Sequence, residues 1–135
     1  MTAPVWVPLA AVKTIHDRQI SRHGGAPGLR DAGLLEGALG RPFNIHAYGN
    51  SDLFDLSAGC AFGIAKAHAF VDGNKRTAFV TSVAFLRLNG YAFRPDPVEG
   101  VRAMEDLASG ALSEADFAAW LKAGAMPISE TAESR

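Results

Sequence analysis

The sequence holds a single cysteine, Cys60, so no internal disulfide framework can staple it and a reducing compartment, the cytoplasm, is the expected setting. Cys60 sits among Ala58, Gly59, Ala61 and Phe62. None of these is a cation that would activate a thiol, so Cys60 reads as a small buried hydrophobe and not as a nucleophile. Charge of one sign is also lacking: thirteen basic against fourteen acidic residues leave a formal net charge of −1. Without the broad positive footprint of a nucleic-acid binder, no direct nucleic-acid binding is expected, and any cationic site must be local. No segment approaches the roughly 20 apolar residues that span a bilayer, and residues 1–13 carry no basic stretch followed by an apolar run. Neither membrane insertion nor export is expected. A second cysteine, a close His/Cys cluster, a GxGxxG loop and a Walker-type glycine loop are all missing, which removes the basis for a zinc site and for the familiar nucleotide folds.

What is present is a chain of 135 residues, 48% of them apolar, enough to bury one core and too short for two ordinary domains. One domain over residues 1–126 is expected, with a polar, flexible tail over 127–135. Leu9, Val12, Ile15 and Ile20 recur at helical spacing and predict a helix over 9–23, stopped by Gly24-Gly25. Asp31 is placed to cap a short second helix carrying Leu34, Leu35, Ala38 and Leu39, which Gly40 and Pro42 should end. Arg41 to Ser51 then reads as a polar and aromatic surface loop, suited to act as a flap. Leu53, Leu56, Cys60, Ile64 and Ala67 predict an amphipathic helix over about 52–69. Ala78 to Leu88 is apolar around most of a helical cylinder, as in a central helix surrounded by others, ending at Asn89-Gly90. Tyr91-Ala92-Phe93 reads as a short extended piece, with Val5-Trp6-Val7 as its expected partner. Pro95 and Pro97 open a further helix closed by Gly110, and Ser113 with Asp116 resembles a capping box for a last helix bearing Phe117, Trp120 and Leu121. The class is all-α, a compact bundle of about six helices.

Between the two most apolar helices stands His68-Ala69-Phe70-Val71-Asp72-Gly73-Asn74-Lys75-Arg76. Lys75 and Arg76 would occupy the first turn of the following helix, where the macrodipole is positive and each cation costs about 0.3–1 kcal/mol. A compensating anion is therefore expected, and a phosphate would satisfy the cations and the free helix N–H groups together. Asp72 offers a hard oxygen for the magnesium that accompanies nucleotide phosphates. His68 is the side-chain type suited to accept a hydroxyl proton near neutral pH. Phe70 reads as a structural plug that anchors the loop. Asp72-Gly73 also suits an ordinary turn and Asn74 an ordinary N-cap, which would leave Lys75 and Arg76 unexplained. His16 reads as a satisfied, partly buried histidine, His23 as a helix-end residue and His46 as part of the loop.

The nonapeptide resembles the signature of the Fic superfamily, His-x-Phe-x-(Asp/Glu)-Gly-Asn-x-Arg, and within it the death-on-curing (Doc) toxins. The likeness extends to Ile15-His16, Gly24-Gly25, Gly28-Leu29-Arg30-Asp31 and Leu34 to Pro42, and reaches Leu107 to Gly110 and Trp120-Leu121. It implies a Fic/Doc-type helical bundle whose buried central helix follows the catalytic loop. His68 would be the general base, Asp72 the magnesium ligand, and Gly73, Asn74, Lys75 and Arg76 the phosphate-binding set, with Lys75 and Arg76 also catalytic. Lys75 stands where AMP-transferring Fic enzymes have glycine, and Ala69 where they usually carry proline. Doc toxins share this lysine. The resemblance therefore implies the toxin of a type II toxin–antitoxin pair: a protein kinase moving the terminal phosphoryl of ATP, with magnesium, to a threonine of elongation factor Tu, so that translation stalls. The implied partners are elongation factor Tu and a cognate antitoxin. The alternatives on the same scaffold are a protein AMP transferase and an inactive Fic-like binding module.

Overall fold

The computed structural model describes residues 3–128, and among them six helices and one two-stranded sheet. Helix α1, Leu9–His23, follows the expected bounds and ends at Gly24, whose N–H returns to the Ile20 carbonyl. Helix α2, Ala32–Tyr48, begins where Asp31 accepts a hydrogen bond from the Leu34 N–H. Helices α3, Leu53–Ala67, and α4, Asn74–Leu88, share the centre, α3 touching α2, α4, α5 (Pro97–Ser109) and α6 (Glu114–Gly124), and α4 touching α1, α3 and α5. Their shared face buries Leu56, Ala61, Ile64, Ala78, Phe85 and Leu86. The all-α expectation holds, with the motif linking the two central helices.

Two expectations are corrected. Most of the segment from Arg41 to Ser51 is not a loop: α2 runs through Pro42 to Tyr48, and only Gly49 to Ser51 are irregular. Leu35, Ala38, Pro42 and Ile45 continue one helical stripe against α3, with all but Ile45 fully buried. Proline has no N–H for the Ala38 carbonyl. That carbonyl instead abuts Gly63 so closely that a Cβ there would stand 2.7 Å from its oxygen. Gly59 makes similar room for Ile45, and Trp6 covers the outer face through Phe43 and His46 at ring separations of 5.5 and 5.8 Å. Packing thus supports the helix past its local breaker. Second, strand β1, Tyr91–Ala92, pairs antiparallel with β2, Met126–Pro127, and not with Val5-Trp6-Val7. The Val5 backbone is bonded instead by a side chain, Asn89, which accepts from the Val5 N–H at 2.8 Å and donates to the Val5 carbonyl at 2.9 Å. Of the tail expected to be flexible, Pro127 lies in β2, the Ile128 N–H bonds the Gly90 carbonyl, and the remainder lies outside the described residues.

Candidate functional site

The chain leaves α3 through His68, which takes a left-handed conformation, φ 51 and ψ 42. Its side chain is exposed, while its carbonyl is gripped by the Arg30 guanidinium through both Nε and Nη2. Arg30 belongs to the stretch after α1, and that stretch runs beside the motif as a single antiparallel bridge. The Arg30 and Asp31 N–H groups donate to the Ala69 carbonyl at 2.7 and 3.0 Å, and the Val71 N–H donates to the Gly28 carbonyl at 3.0 Å.

Phe70 is buried and stacks on the ring of His16, with centroids 3.8 Å apart and planes within 9°. Asn74 is the first residue of α4 and not its cap, a role taken by Gly73 at φ 75. The Asn74 amide turns back instead: Oδ1 accepts from the Phe70 N–H and Nδ2 donates to the Phe70 carbonyl, both at 3.0 Å. What Asn74 offers to a ligand is its backbone N–H, because its side chain is committed to the loop.

Asp72 is exposed, with one carboxylate oxygen on the Gly73 N–H at 2.8 Å and the other on the Ala26 N–H at 3.3 Å. The Gly73 amide first, then the Ala26 amide, hold its carboxyl below the usual carboxylate range, with the charge of Arg76 acting in the same direction. Gly25 makes the approach of Ala26 possible: at φ 115, a Cβ on it would meet the Asp72 carboxylate at 2.7 Å. Arg76 donates from Nη2 to the Gly24 carbonyl at 3.0 Å, so the end of α1 positions both charged partners.

His68, Asp72, Gly73, Lys75 and Arg76 line one open cleft of about 340 Å³. No side chain caps the N-terminus of α4, and no acidic residue stands in its first turn. Lys75 makes no hydrogen bond or ion pair among the described residues. Free helix N–H groups and two cations at one point could hold an oxyanion such as a phosphate. The donor set also suits magnesium brought in with a nucleotide, which needs few protein carboxylates and takes its other oxygens from phosphates and water. Lys75 and Arg76 face a second, more apolar cleft of about 550 Å³, walled by Phe79, Val80, Val101 and Met104. Burial pushes the Cys60 thiol up to about 12, which removes it from nucleophilic chemistry.

The sequence reading brought together the motif residues but missed the frame around them. His16, Gly25, Ala26 and the Arg30 guanidinium act on the motif from 38 to 56 positions away. A local pattern carries no sign of such contacts: Gly24-Gly25 read as a helix stop and, with His16 and Arg30, as part of the family likeness, but none of them was given a place in the site.

The profile of the Fic/DOC family matches residues 6–86. Over 77 residues, 56% of this chain and 61% of the relative, the sequence is 46% identical to Protein kinase doc of Escherichia phage P1. It is 40% identical over 77 residues, 54% of this chain and 58% of the relative, to Toxin Doc of Mycolicibacterium smegmatis. The chain thus spans about three fifths of the length of the curated relatives it matches. Since the matched residues hold the whole motif and the stretch that frames it, the chain belongs to the Fic/Doc family.

Proposed function

We propose that this protein is the toxin of a type II toxin–antitoxin pair, a Doc-type protein kinase that moves the terminal phosphoryl of ATP to a threonine of elongation factor Tu and so stops translation in the cytoplasm. The observation that carries the reading is the uncapped N-terminus of α4, where Lys75 and Arg76 meet free N–H groups beside an ionised Asp72 and an exposed His68. The likeness to a protein named as a kinase and to one named as a toxin supports it.

In this reading the Asn74, Lys75 and Arg76 N–H groups cradle the phosphates, and Arg76 grips them through the part of its fork not spent on Gly24. The His68 imidazole takes the proton of the acceptor hydroxyl as its oxygen bonds to the terminal phosphorus. The bond from that phosphorus to the bridging oxygen breaks, and ADP leaves with the electron pair. Bound magnesium, held by Asp72, would neutralise phosphate charge. Lys75 adds a cation at the position where bulk would obstruct the nucleotide pose needed for AMP transfer. The antitoxin is expected to bring an apolar segment that folds on binding, and the cleft walled by Val101 and Met104 offers it a surface.

ATP labelled at the terminal phosphate tests this reading. Label should pass to elongation factor Tu, while ATP labelled at the innermost phosphate should leave it unlabelled. Transfer of the innermost label would establish an AMP transferase, and transfer of neither, to any protein of a lysate, would point to a binding module.

A further inference from the structure

His16 is almost wholly buried, on the inner face of α1, touches two residues of the loop and stands beside a third. Its ring stacks on Phe70, its Nε2 lies 2.7 Å from the Asp72 carbonyl oxygen, and a Cβ on Gly73 would be 3.7 Å from its Cδ2. A carbonyl only accepts, so the ring carries its proton on Nε2 and donates it. On the other side, Nδ1 stands 3.8 Å from the carboxylate of Asp17, which is exposed.

The Asp72 carbonyl and the Gly73 N–H are two ends of one peptide plane. His16 holds the carbonyl end, and the Asp72 carboxylate is anchored on the N–H end at 2.8 Å. Gly73 follows in the left-handed region, φ 75 and ψ 19, and glycine tolerates either orientation of the preceding peptide. Were that plane to flip, the carboxylate would lose its Gly73 anchor and the carbonyl oxygen would point toward the space meant for anions. Phe70 and the Asn74 amide fix the loop before the plane, and the hydrogen bonds of that amide go to Phe70 and not to the plane.

We infer that His16 is a positioning residue, whose Nε2–H locks the Asp72–Gly73 peptide plane and thereby aims the Asp72 carboxylate at the cleft. Its effect on turnover rests on the phosphoryl-transfer reading, whereas its effect on the loop does not.

The test uses two substitutions of opposite character. His16→Phe keeps an aromatic against Phe70 and removes the donor, while His16→Gln keeps an N–H donor and removes the ring. Titration of the full chain with magnesium and ATP should show His16→Phe weakened by about 10–100-fold, the range for loss of a group that orients a metal ligand, and His16→Gln recovering most of it. In an Asp72→Asn background, His16→Phe should cost little more, because the group it aims is already disabled. A parent that binds no nucleotide would sink the kinase reading and leave this one testable on the free protein. There, amide exchange at Gly73 and Asn74 should quicken at least tenfold in His16→Phe and stay near the parent rate in His16→Gln. Unchanged exchange in His16→Phe, equal loss in both variants, or additive losses with Asp72→Asn would each overturn the inference. Nitrogen NMR of the parent gives a check that needs no variant, since an imidazole protonated on Nδ1 alone would refute it.

Discussion

His68 joins an unusual backbone to an exposed side chain, so its chemical and structural contributions separate cleanly. His68→Ala truncates an exposed side chain, and stability should stay within about 0.5 kcal/mol of the parent. On the proposed kinase reading, transfer to the acceptor should fall by about 10²–10⁴-fold with the loss of the base. Growth arrest on expression, read beside a thermal melt, checks both halves. His68→Gly should be equally inactive yet at least as stable as the alanine variant, by up to about 1 kcal/mol, because glycine enters the left-handed region without a Cβ clash. Asp72 makes a different prediction, in pH. Its folded carboxyl is held below the ordinary 3.8 by the Gly73 and Ala26 amides. The stabilisation is therefore present above that value and disappears as pH falls through the folded one. The urea midpoint of the parent should exceed that of Asp72→Asn at neutral pH, and the gap should close well below pH 3.8. A gap independent of pH would mean that the carboxylate charge is irrelevant to its two hydrogen bonds.

At the scale of elements, most of the bundle was legible because its caps and stripes are local. The caps Asp31 and Ser113 each accept from the N–H three residues on, as their positions in the sequence suggest, and Asp96, which the sequence reading passed over for its flanking prolines, does the same. Helix α2 was misread for a physical reason: Pro42 is a local breaker, while the forces that override it come from α3, some twenty residues later. The continuing stripe of Leu35, Ala38, Pro42 and Ile45 was the available sign. That account makes a graded prediction for three glycines. Gly63→Ala drives a Cβ to 2.7 Å from the fixed Ala38 carbonyl oxygen and should cost about 1–3 kcal/mol. Gly59→Ala has its one close approach, 2.7 Å, to the movable end of Ile45, with Glu114 and Pro42 at ordinary contact, and should cost less. Gly37→Ala, exposed in α2 with nothing within 4 Å, should stabilise by about 0.5–1 kcal/mol. Chemical denaturation of the three variants orders them, and a Gly63→Ala protein as stable as the Gly37→Ala one would remove the explanation given for the long α2.

Across the whole molecule the site is an assembly of two distant segments, and its integrity should be a property of both together. The stretch from Gly24 to Asp31 supplies the Ala26 N–H to Asp72, the Gly24 carbonyl to Arg76, the Gly28 carbonyl to Val71 and the Arg30 guanidinium to His68. The motif returns the Ala69 carbonyl to Arg30 and Asp31. Neither Gly24 to Asp31 nor the part of the motif before α4 has a helix or strand of its own, and the pairing between them amounts to one bridge, Leu29 with Phe70. Opening one therefore strips the hydrogen bonds of the other, and the two should behave as a single cooperative unit. Native-state hydrogen exchange should give the Arg30, Asp31 and Val71 amides one common opening free energy. Because opening would release both Asp72 and Arg76 from their supports, the open form should lose affinity for nucleotide. Magnesium and ATP at about 100 times the dissociation constant should then raise protection of all three amides by about 2.7 kcal/mol. Protection that rises at Val71 while Arg30 and Asp31 stay unchanged would show that the motif holds its ligand without the glycine-rich stretch, and the frame drawn here would be packing without consequence for binding.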